Sequence, residues 1–212
     1  MLFENGSTHL FIGDSITDCG RNRDTNGVDL GFGYTSQIVP LIRAHYPELT
    51  IQFLNFGISG NRVTDLEARW DADVMAQKPD TVSIMIGIND VWRHFEFGSL
   101  MPDQVSIEDY EAKLEGLVKK TLPSVKTVIV MSPYYLETNL EDPMRKTMDE
   151  YGAKAKAVAE RNGLIFVDVQ AAFDDWLKHN HTQQLCSDRV HPKPTGHAVI
   201  AKAFLDAVGF EW

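Results

Sequence analysis

The sequence predicts an α/β fold: a three-layer α/β/α sandwich around a mainly parallel sheet of five strands. Short apolar runs alternate with longer segments of helical periodicity, which is the pattern of repeated βαβ units. Several of these runs are almost continuously apolar, as expected for strands that helices cover on both faces. The sequence contains no linker, repeat or low-complexity stretch, so we predict a single domain over residues 1–212.

Five runs are the candidate strands of this sheet. They span residues 10–12, 51–56, 81–86, 127–131 and 164–167. The fourth run, Thr-Val-Ile-Val-Met, is typical of a strand buried on both faces.

Capping signals predict where several helices begin and end. Ser106 and Asp109 have the spacing of a capping box in which Asp replaces the longer Glu. Pro143 suits the first position of the next helix, and the Asn-Gly pair at 162–163 suits a left-handed C-cap. The last helix follows an apolar stripe and is closed by Gly209.

The charge of the chain excludes two classes of partner. Its 212 residues include 20 Lys and Arg against 30 Asp and Glu, a formal net charge of −10. Non-specific nucleic-acid binding requires a basic surface that displaces counterions, and anionic membranes attract basic patches. We therefore expect neither a nucleic-acid partner nor a membrane partner.

Cysteine content and hydropathy predict a cytoplasmic location. The two cysteines, Cys19 and Cys186, are too few for a disulfide scaffold and form no CxxC pair. No apolar run approaches the roughly 18 residues of a membrane span, and the first residues lack the basic and apolar segments of a secretory signal. In a reducing compartment we expect both thiols to be free and without a role.

Four short motifs fall where three predicted strands end and where the last helix begins. They are Gly-Asp-Ser at 13–15, Gly-Ile-Ser-Gly at 57–60, Gly-Ile-Asn-Asp at 87–90 and Asp-Arg-Val-His at 188–191. In an open parallel sheet, the carboxyl ends of the strands line the binding crevice. We therefore expect these motifs to collect at one edge of the sheet.

Together the motifs contain the parts of a serine hydrolase. Asp188 and His191 are three residues apart, so the carboxylate can orient the imidazole as a general base for Ser15. Gly60 can bring a backbone N–H close to substrate and Asn89 offers an amide donor; with the Ser15 N–H these would form an oxyanion hole. Each residue alone also has a structural explanation, such as a helix cap or a turn.

The four blocks, in this order, resemble the SGNH (GDSL-type) hydrolase family, which is named after the Ser, Gly, Asn and His that they contain. The first block reads Gly-Asp-Ser-Ile instead of Gly-Asp-Ser-Leu, a common departure. The longer strings Gly-Asp-Ser-Ile-Thr-Asp-Cys-Gly-Arg, Gly-Ile-Asn-Asp-Val-Trp-Arg and the terminal Gly-Phe-Glu-Trp are similar to those of bacterial carbohydrate acetylesterases, acetylxylan esterases among them. The resemblance implies a flavodoxin-like sandwich and a serine esterase that removes acetyl groups from xylo-oligosaccharides or related sugars, without a cofactor or metal.

Residues beside the motifs are candidate substrate-binding groups. Trp92 follows Asn89, Tyr134 follows the fourth strand, and Asp14 precedes Ser15. Aromatic rings at the crevice could stack on sugar faces, line an acyl pocket or only pack the loops.

The end of the chain indicates an oligomer. Phe210 and Trp212 form a terminal aromatic pair, and such a pair needs cover. We expect a neighbouring subunit to cover both residues in a homo-oligomer.

Other functions remain open at this point. A lysophospholipase or thioesterase could use the same scaffold, because fold and triad do not fix the acyl group. A metal-dependent phosphatase would use Asp14, Asp18, Asp188, His191 and His197, but no HExxH or Cys–His cluster is present.

A flavodoxin-like binding module would need a Ser/Thr/Gly-rich phosphate loop, and the carboxylate of Gly-Asp-Ser disfavours an anion. Ser59 is an unfavourable nucleophile, because its motif is one residue short of a Gly-x-Ser-x-Gly elbow.

Overall fold

A parallel five-stranded sheet forms the centre of the fold. The computed structural model describes residues 1–96 and 104–212. The strands are β1 (Thr8–Gly13), β2 (Gln52–Asn55), β3 (Thr81–Met85), β4 (Thr127–Met131) and β5 (Ile165–Val167). They lie in the order β2-β1-β3-β4-β5, and every neighbouring pair is parallel. All five predicted strands are confirmed.

Helices connect and cover the strands. They are α1 (Ser15–Asp18), α2 (Tyr34–His45), α3 (Val63–Asp73), α4 (Ile88–Glu96), α5 (Ile107–Thr121), α6 (Pro143–Arg161), α7 (Val169–Leu177), α8 (Thr182–Leu185) and α9 (Pro194–Ala207). Short 3₁₀ turns span Arg23–Thr25, Met75–Gln77 and Leu122–Ser124. In the parts of the chain just given, no helix is both long and apolar enough to cross a membrane.

The helices form two layers. Helices α2, α7 and α9 pack together on one face, whereas α3, α5 and α6 pack together on the other. This division follows from right-handed crossovers, because α2 leads from β1 outward to β2 and α3 leads back across β1 to β3. The predicted three-layer sandwich is confirmed. The strand order reverses between β1 and β3, and ligands bind at such switch points in α/β sheets.

The predicted helix ends agree with the structure, with one difference in detail. Pro143 is the first residue of α6, while Gly163 and Gly209 adopt φ values of +65° and +73°. Ser106 Oγ accepts the Asp109 N–H at 3.1 Å. The Asp109 carboxylate, however, accepts a hydrogen bond from the Ser106 hydroxyl (2.9 Å) instead of reaching back to its N–H. Asp is one methylene shorter than the Glu of a full capping box.

A histidine lies inside the central sheet. His9 is fully buried on β1, with Nδ1 2.7 Å from Thr81 Oγ1 and Nε2 3.2 Å from Ser83 Oγ. Burial lowers the pKa of His9 to about 3, because an apolar interior disfavours the charged imidazolium. The ring is therefore neutral at physiological pH and its two polar neighbours satisfy its nitrogens.

The carboxyl terminus folds back onto its own domain. Phe210 is buried, with its ring 5.0 Å from His45 and 5.7 Å from Tyr46. The expectation that a neighbouring subunit covers Phe210 is therefore wrong. Trp212 is 64% exposed, although its indole N–H donates to Asp206 Oδ1 at 2.7 Å.

Candidate active site

A hydroxyl, an imidazole and a carboxylate meet at the carboxyl edge of the sheet. Ser15 lies in the first turn of α1, two residues beyond β1, and its Oγ is 2.9 Å from His191 Nε2. On the other side of the ring, Nδ1 is 2.7 Å from Asp188 Oδ2. The structure thus brings together the three residues predicted as a triad. This arrangement can pass the serine proton to the imidazole while the carboxylate fixes the ring orientation.

The loop that carries His191 is organised by Asp188. Asp188 Oδ1 accepts the backbone N–H groups of Val190 (3.0 Å) and His191 (2.8 Å). Arg189 adopts a left-handed φ of +65°, which closes this turn. Burial alone would raise the Asp188 pKa, but the hydrogen bonds from the His191 side chain and from the two N–H groups hold that pKa below its usual value. The carboxylate is therefore ionised beside the imidazole.

Tyr134 supports this loop and does not face a substrate. Its side chain is fully buried and its hydroxyl donates to the Val190 carbonyl at 2.9 Å. Two residues on, the Leu136 N–H donates to the Arg189 carbonyl at 3.0 Å. The prediction that Tyr134 binds substrate is wrong, because a buried ring inside the fold presents no surface to a ligand.

Asp14 is likewise a structural residue. It is 1% exposed, and its Oδ1 accepts the Ile16 N–H at 3.0 Å, which caps the helix that carries Ser15. Burial raises the Asp14 pKa to about 7. Asp90 is a second buried carboxyl; it accepts the Val63 N–H at 3.0 Å, and burial raises its pKa to about 7 as well. The prediction that Asp14 contacts substrate is therefore wrong.

Gly60 and Asn89, predicted with Ser15 for the oxyanion hole, follow the two strands that flank β1. Gly60, in the loop after β2, has a φ of +82°, a backbone conformation that favours glycine. Asn89 is the second residue of α4, shortly after β3, and is 8% exposed. Its Nδ2 donates to the Asn61 carbonyl at 3.0 Å, and Arg93 Nη2 donates to the Gly60 carbonyl at 2.8 Å. Asn89 and Arg93, one turn apart on α4, thus fix the Gly60 loop. The Asn89 amide carries a second N–H, which the bond to the Asn61 carbonyl does not use.

Two further side chains, Asn55 and Arg69, join the site loops, and neither belongs to the four sequence motifs. Asn55 is fully buried; it donates to the Thr17 carbonyl at 2.7 Å and accepts the Gly57 N–H at 2.8 Å. Arg69 reaches from α3 to donate to the Gly13 carbonyl at 3.1 Å. A polar residue between apolar neighbours in the run 51–56 was a signal for Asn55, whereas the helical position of Arg69 gave none.

Trp92, predicted to bind substrate, lies beside His191. Its ring centroid is 5.7 Å from that of His191, and the side chain is half-buried. Trp92 also lines a cavity of about 320 Å³. Trp92 therefore lies beside His191, and its contact with substrate stays a prediction.

The side chains that suggested a metal-dependent phosphatase make other contacts. Asp18 accepts the Ser59 N–H and hydroxyl at 2.9 and 2.8 Å. His197 accepts the Tyr34 N–H at 3.1 Å, and burial lowers its pKa to about 4. Across residues 1–96 and 104–212, His, Cys, Asp and Glu form no group of three or more that could hold a metal ion.

The sequence matches the model of a known protein family over most of its length. The model of the GDSL-like lipase/acylhydrolase family matches residues 11–199. This chain belongs to the GDSL-like lipase/acylhydrolase family. The match includes all four sequence blocks, so the resemblance noted from the motifs is confirmed.

Two proteins with solved structures share the whole fold of this chain. The chain is 52% identical over 215 residues to an acetylxylan esterase of Geobacillus stearothermophilus, covering 100% of this chain and 98% of that protein. A crystal structure of that esterase superposes with a TM-score of 0.97 and covers 98% of its chain. An alpha/beta hydrolase enzyme from the metagenome of Lake Arreo is 48% identical, with a TM-score of 0.97 over 99% of this chain and 98% of that one. The SGNH hydrolase fold is therefore confirmed.

Proposed function

We propose that this protein is a serine esterase that removes acetyl groups from acetylated xylo-oligosaccharides or related sugars. The observation that carries the esterase chemistry is the hydrogen-bonded chain from Ser15 Oγ through His191 to Asp188. The full-length identity to an acetylxylan esterase supports the class of substrate.

The reaction proceeds in two acyl transfers. His191, oriented by Asp188, takes the proton of Ser15 as Oγ attacks the ester carbonyl. The tetrahedral intermediate collapses, His191 gives its proton to the leaving sugar oxygen, and the acetyl group remains on Ser15. Water then attacks with His191 as base, and acetate leaves.

The developing negative charge is stabilised by three donors in this proposal. They are the N–H groups of Ser15 and Gly60 and the side-chain amide of Asn89. The hydrogen bonds from α4 to the Gly60 loop support this assignment, because they fix Gly60 and Asn89 relative to one another before substrate binds.

Acyl-chain length separates this function from a lysophospholipase or thioesterase. A site built for acetyl rejects longer chains by overpacking, about 1–3 kcal/mol for the first extra methylenes. We expect kcat/KM to fall roughly five- to 150-fold from acetyl to butyryl esters, and acetate to be released from acetylated xylo-oligosaccharides. Equal turnover of octanoyl esters or lysophospholipids, with no acetate from the saccharides, would leave only an esterase of another specificity.

We further propose that residues 1–212 act as one cytoplasmic domain within a homo-oligomer. Both cysteines are free, which suits a reducing compartment, and the exposed ring of Trp212 supports a subunit contact. Sedimentation at the monomer mass would contradict the oligomer, and recovery of the native protein outside the cytoplasm would contradict the location.

A further inference from the structure

An aromatic cavity adjoins the proposed catalytic histidine. It has a volume of about 320 Å³ and is lined by Trp92, Phe95, Tyr135, Asp142, Pro143 and Met144. Trp92 is its wall toward the triad, since the rings of Trp92 and His191 lie 5.7 Å apart. Phe95 is 43% exposed at its edge, so an apolar ring is accessible from solvent there.

The chemistry of the proposed reaction assigns this cavity to the alcohol side of the ester. His191 Nε2 must deliver its proton to the leaving oxygen, so the sugar that carries this oxygen lies beside the imidazole. The carbonyl oxygen lies instead toward Gly60 and Asn89. The cavity that Trp92 lines, next to His191, is therefore on the side of the saccharide rather than of the acyl chain.

We propose that this cavity is a subsite for a second pyranose ring of the xylo-oligosaccharide, next to the ring that carries the acetyl group. The inference rests on the proposed function and adds to it a preference for substrates of two or more rings.

The lining matches the surface of a pyranose. Such a ring has C–H faces, which pack on aromatic faces, and a rim of hydroxyl groups, which donate hydrogen bonds. Three of the six lining residues are aromatic, and Asp142 provides a carboxylate acceptor. Asp142 Oδ1 accepts the Arg145 N–H at 3.0 Å, which uses only part of the acceptor capacity of a carboxylate. The same negative charge disfavours a phosphate or carboxylate headgroup.

The walls of the cavity are fixed before a ligand binds. Tyr135 is 9% exposed, its N–H donates to Gln170 Oε1 at 2.8 Å, and the Arg189 guanidinium lies 6.0 Å from its ring. Asp142 is the N-cap of α6. Binding of a sugar ring therefore requires little ordering of these side chains.

Two variants and a control test the subsite on substrates of different length. Phe95→Ala removes the accessible ring, and Asp142→Asn removes the charge while keeping a good N-cap residue. Leu140→Ala, at another exposed apolar side chain (59% exposed) outside the cavity, is the control. Acetate release is measured on acetylated methyl xyloside, which has one ring, and on acetylated xylotriose, and melting curves verify folding.

The expected result is a loss specific to the longer substrate. Phe95→Ala and Asp142→Asn should lower kcat/KM for acetylated xylotriose by about three- to tenfold through KM, and leave the one-ring substrate within about twofold. Leu140→Ala should change neither. Equal losses on both substrates, or no loss on either, would overturn the subsite. Failure of the wild-type enzyme to release acetate from either saccharide would instead overturn the proposed function.

Discussion

The Tyr134 hydroxyl donates a 2.9 Å hydrogen bond to the Val190 carbonyl, in the middle of the Asp188–His191 loop. The segment after β4 thereby holds the proposed base in place from inside the fold. Both partners are buried, so removal of the hydroxyl leaves a carbonyl without its partner.

Tyr134→Phe should therefore weaken both stability and turnover. We expect the free energy of unfolding to fall by about 1–3 kcal/mol and kcat to fall roughly threefold to tenfold with KM unchanged, because the ring of His191 is positioned less well. Tyr151→Phe is a matched control, since its buried hydroxyl donates to the Val105 carbonyl at 2.7 Å, away from the loop. Urea denaturation and steady-state kinetics check both variants. The same kcat in both would show that the Tyr134 bond has no positioning role.

Ser15→Ala should remove esterase activity while the protein remains folded. The triad acts as a unit, so we expect kcat to fall by about 10⁴-fold or more. Ser59→Ala is the control in the neighbouring loop, where the hydroxyl donates to Asp18; it should retain most of the activity. Burst kinetics with an aryl acetate measure acylation directly. An unchanged burst in Ser15→Ala would assign the nucleophile to another residue.

Asn89→Ala should act on the transition state rather than on binding. Loss of one preorganised donor lowers kcat by roughly 100- to 1,000-fold, with a smaller change in KM. The variant also loses the 3.0 Å bond to the Asn61 carbonyl, so melting curves accompany the kinetics. An effect confined to KM would mean that Asn89 binds substrate only.

Buried His9 and buried Asp90 should change the stability of the protein in opposite directions as the pH falls. Unfolded His9 has a pKa near 6.5 and folded His9 about 3, so the unfolded state gains a proton first and stability is lost between these values as the pH falls. The slope for this group is at most about 1.4 kcal/mol per pH unit. Asp90 has a folded pKa of about 7 against 3.8 unfolded; the native state gains its proton first, and stability increases as the pH falls through that window.

Variants at these positions should shift the acid response in opposite directions. We expect His9→Gln to lose less stability than the wild type between pH 7.5 and pH 4.5, and Asp90→Asn to lose more. Burial also raises the pKa of Asp14 and lowers that of His197, and both residues remain in both variants. The comparison therefore uses the slope of the unfolding free energy against pH rather than its absolute value. Urea denaturation at the two pH values measures the unfolding free energy. If both variants showed the wild-type slope of this free energy against pH, burial would not be what shifts the pKa values of His9 and Asp90.

Sequence patterns predicted the fold and the collection of Ser15, Asp188 and His191 at one edge of the sheet. The strands are continuous apolar runs, and a parallel sheet brings their carboxyl ends to one edge, so residues as distant as Ser15 and His191 were placed together. The hydrogen bond between the Asp188 carboxylate and the His191 imidazole follows from the spacing of the two residues on one loop.

Burial of single side chains was the part that sequence did not reveal. Asp14 and Tyr134 stand next to site residues in the chain, but adjacency in sequence does not determine the direction in which a side chain points. Asp14 turns inward to cap α1, and Tyr134 turns inward to the Val190 carbonyl. The contact of Arg69 with the Gly13 carbonyl depends on the packing of α3 beside β1, which no local pattern encodes.

The proposed nucleophile and base belong to parts of the fold with different local stabilities. Ser15 follows a central strand, which opens only with the sheet. The His191 loop is joined to the rest by the isolated bridge between Cys186 and Pro192, by hydrogen bonds from Tyr134 and Leu136, and by the ion pair of Arg189 with Glu137. Local opening of this loop would separate the imidazole from the hydroxyl without melting the sheet. Warming should thus produce a reversible, inactive species below the melting temperature, recognisable by faster amide hydrogen exchange at residues 186–192 than at β1.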